Sequence, residues 1–252
     1  MQPTIIIDAG HGGFDNGASY NGRLEKDDNL KLALAVGEQL ERDGFPVVYT
    51  RETDVYQRPI DKARIANESG GDYFVSFHRN SSPNPNTYSG VETLVYNDSG
   101  IPAQLARSVN DKMAGAGFNN LGVSVRPDLI VLRRTKMPAI LIEAGFINTE
   151  ADNRTFDENF NELATGIAKG IENVVGTKSN EKAFGVQVGL YKRYENAQYA
   201  LNQLVANGYE AQIREWNNFY AVVVGNESTL DGARDLERRL QNAGYDTLIV
   251  NL

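Results

Sequence analysis

The run Thr4 to Phe14, Thr-Ile-Ile-Ile-Asp-Ala-Gly-His-Gly-Gly-Phe, constrains the fold more than any other stretch of this 252-residue chain. Ile5, Ile6 and Ile7 are consecutive β-branched residues. Such a run suits a strand buried on both faces, the kind found in parallel sheets with helices on either side. Gly10, Gly12 and Gly13 stop the strand and leave His11 at its carboxyl end, where open α/β sheets bind ligands. The bare backbone around His11 argues against a packing role, because a structural histidine is gripped by neighbouring side chains. The other histidine of the chain, His78, ends a second strand-like run, Tyr73-Phe-Val-Ser-Phe-His. Two histidines, both at strand ends, mark a site.

The rest of the first 176 residues alternates between helix and strand patterns. After Asp27 or Asp28, either of which can cap a helix, Leu30, Ala33, Leu34, Gly37 and Leu40 recur at helical spacing, and Gly44 closes the segment. Residues 45–50 read as the second strand, Pro59 opens a helix with Ile60, Ala63 and Ala66 as its stripe, and 73–77 form the third strand. Further strands are expected at 90–96, 129–132 and 139–143, with a helix over 102–116 that stacks Leu105, Val109 and Met113. Phe156, Phe160, Leu163, Ile167 and Ile171 form the stripe of one closing helix. This order predicts an α/β domain over 1–176, with a mostly parallel central sheet and helices on both faces.

Residues 177–183 read as a linker. Beyond them the chain repeats itself at an offset of 36: Val186 recurs as Val222, Ala197 as Ala233, Leu204 as Leu240, and Gly208-Tyr209 as Gly244-Tyr245. Each unit reads strand, helix, strand, and neither can bury a sheet face alone. Residues 184–252 are therefore expected to form one small α+β, ferredoxin-like domain built from two βαβ repeats.

Composition excludes several functions. A net charge of −8 offers no basic stripe for nucleic acid. No window approaches the roughly 18 apolar residues of a membrane span, and no basic-then-apolar leader precedes Ile5, so no signal peptide is expected. The absence of cysteine removes disulfides, thiolate nucleophiles and cysteine-ligated metals. Any metal must be held by imidazole and carboxylate.

Three strand ends present His11, His78 and Glu143 at one rim, and Glu25, just before the first helix, can reach it. Two histidines and a glutamate are an established donor set for catalytic zinc, with a fourth place left for water. A further group must then move a proton. Glu25 is the better ligand and Glu143 the better base, although loop placement barely separates the two roles. Taken alone, Glu25 reads as a solvated acid complementing a helix dipole. Glu143 continues the buried run Ile140-Leu-Ile, where its charge demands a partner or a metal. Asp8 either accepts a hydrogen bond from a ligand imidazole or fixes the loop through backbone N–H groups. The glycines around His11 lack the lysine and the spacing of phosphate-binding loops.

Four segments, Asp8-Ala-Gly-His-Gly-Gly, Gly22-Arg-Leu-Glu-Lys, Ser76-Phe-His-Arg-Asn and Pro138-Ala-Ile-Leu-Ile-Glu-Ala-Gly-Phe, resemble in order the signatures of the zinc-dependent N-acetylmuramoyl-L-alanine amidases. The resemblance implies one zinc per chain on His11, Glu25 and His78, with Glu143 as the catalytic glutamate. It implies hydrolysis of the amide between N-acetylmuramic acid and the L-alanine of the peptidoglycan stem peptide. Arg79 stands where the family has a small residue, and with Asp8 and Asn80 it is expected around the metal ligands or at the substrate rim. Only a short turn separates Tyr96 from Pro102, where activator-dependent members carry a blocking helix. An open cleft and no obligate protein partner are expected.

Phe184-Gly-Val-Gln-Val-Gly-Leu-Tyr and its echo are similar to the sporulation-related repeat (SPOR) domain. This likeness implies binding to glycan strands stripped of stem peptides, with Gln187, Tyr191 and Tyr220 as sugar contacts. Together the two resemblances imply mother-cell wall lysis during sporulation, by a protein held in the mother-cell cytoplasm until export or lysis and acting in the cell wall. A phage endolysin of the same chemistry, another zinc hydrolase of the wall (a peptidase or deacetylase) and an inactive wall-binding protein are the alternatives.

Overall fold

Ile5, Ile6 and Ile7 are fully buried in β1 (Ile5–Ala9), as an unbroken β-branched run requires. In the computed structural model, which describes residues 2–176, 184–216, 218–227 and 230–251, β1 lies within a six-stranded sheet. The chain divides into two units, Met1–Ser179 and Asn180–Leu252. The linker expected at 177–183 lies outside the described residues.

In the first unit β1 leads through a short hairpin, β2 (Ser19–Tyr20) and β3 (Arg23–Leu24), into α1 (Glu25–Arg42). There follow β4 (Val47–Tyr49), α2 (Pro59–Glu68), β5 (Tyr73–Asn80), β6 (Val91–Val95), α3 (Gly100–Gly115) and β7 (Asn120–Val125). The unit ends with α4 (Ile130–Arg134), β8 (Ala139–Phe146), α5 (Glu150–Glu158) and α6 (Phe160–Val175). The sheet order is β4-β1-β5-β8-β6-β7. Its pairings are parallel except that β6 runs antiparallel to β8.

Alternation along the strands sorts the core into two layers. Ile5, Ile7, Val75, Phe77, Ile140 and Ile142 pack with Leu32 and Val36 of α1, Leu105 and Val109 of α3, and Leu163 and Ile167 of α6. On the other face Ile6, Phe74, Leu94 and Leu141 meet Ala66 of α2 and Val131 and Leu132 of α4. The second layer is thin and its two helices are short. The same alternation carries Asp8, Ser76, His78 and Glu143 onto this more open side.

Five local readings change. Helix α1 begins at Glu25 with Leu24 at its N-cap, so Asp27 and Asp28 lie within the first turn and do not cap it. Residues 129–132, read as a strand, belong to α4 and the turn before it; four apolar residues are too few for periodicity to tell a buried helix from a strand. The edge strand β7 carries no strand signal in the sequence, because it holds Gly122 and its burial does not alternate. The closing helix is two helices, α5 and α6, that meet at Asn159. Ile60 is exposed, so α2 buries only Lys62, Ala63 and Ala66.

The second unit runs β9 (Phe184–Tyr191), α7 (Tyr194–Ala206), β10 (Ala211–Trp216), β11 (Phe219–Glu227), α8 (Leu230–Asn242) and β12 (Leu248–Asn251). Its sheet order is β10-β11-β9-β12 and every pairing is antiparallel. Strand, helix, strand occurs twice, as the repeat implies, but the two strands of a half do not pair: β11 separates β9 from β10, and β9 separates β11 from β12. Interleaving the halves lets Val186, Val222 and Val224 share one core with Ala197 and Leu204 of α7 and Leu236 and Leu240 of α8.

Helices α3 and α6 approach closely at Gly170, where a Cβ would stand 2.8 Å from Val109 Cα and 3.1 Å from the Ser108 carbonyl oxygen. Alanine there gains roughly 1 kcal/mol of helix propensity. Backbone cannot swing aside as a side-chain tip can, so overpacking of about 1–3 kcal/mol prevails. Gly170→Ala is expected to lower the urea midpoint of the first unit's unfolding; an unchanged or raised midpoint would contradict this.

Candidate active site

His11 follows β1 with a backbone φ of 60°, in a region that costs a non-glycine residue free energy and that recurs at functional sites. Glu25 opens α1, and His78 lies near the end of β5. Between them these residues offer three ligand atoms within 4.8 Å of one another. Glu25 Oε1 lies 3.2 Å from His11 Nε2 and 3.0 Å from His78 Nδ1. Glycines make the convergence possible. A Cβ on Gly10 would sit 2.4 Å from the His78 ring, and one on Gly17 would sit 2.5 Å from Glu25 Oε2 and 2.6 Å from the His11 ring.

Each donor is held from behind. Asp15 Oδ2 lies 3.0 Å from His11 Nδ1 and leaves Nε2 to face the cluster. Glu25 accepts hydrogen bonds from the Ala18 N–H (2.8 Å) on Oε2, and from Asn29 Nδ2 (3.2 Å) and the Arg79 N–H (3.2 Å) on Oε1. Burial alone would raise the Glu25 pKa, yet the two imidazoles hold it far below the usual carboxylate range. Burial alone would lower the pKa of His11; the Glu25 and Asp15 carboxylates outweigh it and push His11 up to about 9. This cluster attracts positive charge strongly, and its two nitrogens and one oxygen fit a cation with one open place.

Glu143 is the register partner of His78 across the β5–β8 pair, so both project from the same side of the sheet. Its Oε2 is buried and has no hydrogen-bond partner among the described residues. Burial pushes its pKa up to about 7, with the Glu25 and Glu92 carboxylates adding to the effect and His78 opposing it. Glu92 on β6 is the register partner of Glu143 and accepts a hydrogen bond from the Ser124 hydroxyl. A cavity of about 320 Å³ beside the cluster is lined by His11, His78, Asp15, Gln57, Asp128 and Leu129 among others.

The supporting residues differ from expectation. Asp8 bonds neither histidine nor loop backbone; its carboxylate accepts from Thr50 Oγ1 (2.6 Å), Ser76 Oγ (2.6 Å) and Lys62 Nζ (2.7 Å). Asp15 is the imidazole partner instead, and nothing in its spacing from His11 announces this, because the orientation is set by the positive-φ turn. Arg79 does not line an exposed rim: its side chain is fully buried. Asn80 is half-buried at the strand end, where its Oδ1 accepts from the Ser81 N–H at 2.8 Å. Asn29, Lys62 and Glu92 join the site with no signal in the sequence, because helix and strand patterns pass over polar positions.

In the second unit, α7 and α8 cover one sheet face. The other face carries a cavity of about 470 Å³ lined by Gln187, Arg214, Glu215, Val223, Ile249 and Asn251 among others. Gln187 is on it. Tyr191 and Tyr220 instead pack against the core, and the Tyr220 ring meets Tyr194 edge to face at 5.4 Å.

Residues 5–173 match the model of the N-acetylmuramoyl-L-alanine amidase family. The chain belongs to that family. Residues 180–251 of the amidase match the SPOR domain. It is 34% identical over 215 residues to a sporulation-specific N-acetylmuramoyl-L-alanine amidase of Bacillus subtilis (strain 168), with 82% of each chain covered. It is 37% identical over 185 residues to an endolysin of Bacillus phage SPP1, covering 71% of this chain and 68% of the endolysin. The crystal structure of an N-acetylmuramoyl-L-alanine amidase from Clostridium difficile 630 superposes with a TM-score of 0.67 at 34% identity, covering 71% of this chain and 99% of that one. This protein is an amidase active on peptidoglycan, with a candidate metal-binding cluster at His11, Glu25 and His78.

Asp8 and Lys62, both buried, pin β1 of the amidase to α2 beneath the cluster. Burial would raise the Asp8 pKa, but Lys62, with Ser76 and Thr50, holds it below the ordinary carboxylate value. The pair therefore stabilises the fold above the unfolded-state pKa, and the contribution is lost as pH falls through the folded one. Lys62→Met leaves a buried carboxylate without its counter-charge and is expected to cost about 3–5 kcal/mol at neutral pH. The deficit should shrink in acid, where Asp8 can take up a proton, and urea unfolding at pH 7 and pH 5 measures both.

Proposed function

We propose that the amidase holds one zinc ion on His11 Nε2, Glu25 Oε1 and His78 Nδ1, with Glu143 as general base and acid. On this reading it cleaves the amide between N-acetylmuramic acid and the L-alanine of the stem peptide. The observation that carries it is the convergence of three donor atoms within 4.8 Å beside a buried carboxylate oxygen without a partner. When bound, zinc supplies Lewis-acid polarisation of the scissile carbonyl and of the attacking water. Glu143 takes a proton from that water at Oε2 and gives it to the departing L-alanine nitrogen, so that the amine leaves neutral. A pKa near 7 suits both halves of that transfer. Asp15 keeps His11 in the tautomer that offers Nε2.

The chain is further proposed to work as two modules, a catalytic one over 1–176 and a wall-binding one over 184–252, joined by 177–183. Strand-helix-strand twice over in one antiparallel sheet of order β10-β11-β9-β12 supports the ferredoxin-like reading of the second. Its open face, with Gln187 and Arg214, is the proposed binding surface for glycan stripped of stem peptides. Mother-cell wall lysis during sporulation is the favoured setting, because the likeness to the sporulation-specific amidase spans more of both chains than the likeness to the endolysin. The proposed place of action is the cell wall.

Glu143→Gln should keep one zinc per chain yet lose roughly 10²–10⁴-fold in turnover, whereas Glu25→Gln should lose zinc affinity. Elemental analysis and cleavage of a defined muropeptide, at limiting and saturating zinc, separate the two; recovery of the Glu143 variant on adding zinc would reverse the roles. Activity should rise with pH as Glu143 loses its proton, with the limb at or below about 7, since a bound cation draws the carboxyl pKa down. For the second unit, Gln187→Ala with Arg214→Ala should weaken pull-down by amidase-treated sacculi and leave cleavage of soluble muropeptides unchanged.

A further inference from the structure

Arg79 is a charged side chain with no exposed surface, next in sequence to His78. Its guanidinium reaches three other elements at once. Nη1 donates to Asp28 Oδ2 of α1 at 2.5 Å, Nη2 to Asn153 Oδ1 of α5 at 2.8 Å, and Nε to the Gly145 carbonyl of β8 at 3.3 Å. The guanidinium carbon also lies 4.3 Å from the centroid of the fully buried Phe156 ring on α5. The backbone N–H of the same residue donates to Glu25 Oε1. Arg23 completes the assembly from the other side, donating to Asp28 at 2.6 Å and to both oxygens of Asp157 at 2.8 Å, with its own guanidinium 5.1 Å from the Phe156 centroid.

These contacts meet the site at all of its sequence-distant parts except His11. Asp28 lies one helical turn beyond Glu25, Gly145 lies two residues beyond Glu143, and His78 precedes Arg79 itself. Burying a guanidinium is costly and would be wasted if the group only filled space. We propose that Arg79 is a positioning residue: its planar fork sets the spacing between the metal ligands Glu25 and His78 and the proton-transferring Glu143. The inference rests on the zinc amidase reading above. A lysine in its place keeps a charge for Asp28 but is a point donor, unable to span Asn153 and the Gly145 carbonyl in one plane.

The test uses the full chain as wild type, Arg79→Ala and Arg79→Lys, and reads zinc affinity by chelator competition, thermal midpoint, and cleavage of a soluble muropeptide at saturating zinc. Arg79→Ala is expected to weaken zinc binding by about 10–100-fold, as loss of a group that orients metal ligands does. It should also lower kcat more than it changes KM. Arg79→Lys should recover less than half of the lost affinity on a logarithmic scale. A lower thermal midpoint with zinc affinity unchanged would show a merely structural residue and overturn the proposal; full recovery by lysine would overturn the fork. If Arg79→Ala does not fold, Asn153→Ala removes a single arm, and it should weaken zinc binding in the same direction; unchanged affinity there counts against the inference. A wild-type chain that binds no zinc would instead overturn the metal reading, and this inference with it.

Discussion

One carboxylate oxygen, Glu25 Oε1, is the point on which the catalytic unit depends. It faces an imidazole from the loop after β1 and another from β5, while its own residue begins α1. Taking a carboxylate out of water costs several kcal/mol unless its lone pairs are used. Here two imidazoles, two backbone N–H groups and an asparagine amide use them. These partners come from the glycine loop, α1 and β5, so the cost is met only when the sheet, the first helix and the glycine loop are all in place. The fold and the site are one cooperative arrangement.

Beneath that oxygen lies a polar layer that holds the end of β1. Arg51 donates to the carbonyls of Ala9, Gly10, Lys26 and Thr53. Lys62 adds a second bond to the Ala9 carbonyl while pairing with Asp8. Strands this deeply buried end with carbonyls that need donors, and long cationic side chains from the β4–α2 region supply them. His11 can then sit in a strained backbone conformation, because the residues before it cannot relax.

The other half of the site is a carboxyl group taken out of water and set near like charges. Glu143 faces Glu92 across the β8–β6 pair, and opposed carboxylates disfavour simultaneous ionisation. Burial is the larger cause and the Glu25 carboxylate adds to it, and the result is a carboxyl group poised near neutrality beside a cluster that favours cations. Neighbouring strand ends thus present two opposite electrostatic environments, one that favours a cation and one that favours a protonated carboxyl group.

The Ile5-Ile-Ile run, the glycines around His11 and the two strand-ending histidines were enough to read an α/β sheet with a site at its rim, since periodicity and chain punctuation are local properties. The 36-residue repeat likewise announced a second small unit. What local pattern could not carry was partnership: Asp15 rather than Asp8 behind His11, Lys62 opposite Asp8, Glu92 opposite Glu143, and Arg79 turned inward instead of lining a rim. Short apolar segments such as 129–132 were ambiguous for the same reason, because a helix and a strand of that length differ only in what they pack against. The sequence by itself singled out His11, Glu25 and His78 as candidate metal ligands and Glu143 as the carboxylate beside them. Only the tertiary structure decided which carboxylate meets which cation, because those pairings join residues as far as 134 positions apart in the chain, as Arg23 and Asp157 are, and they form only where the strands are already in register.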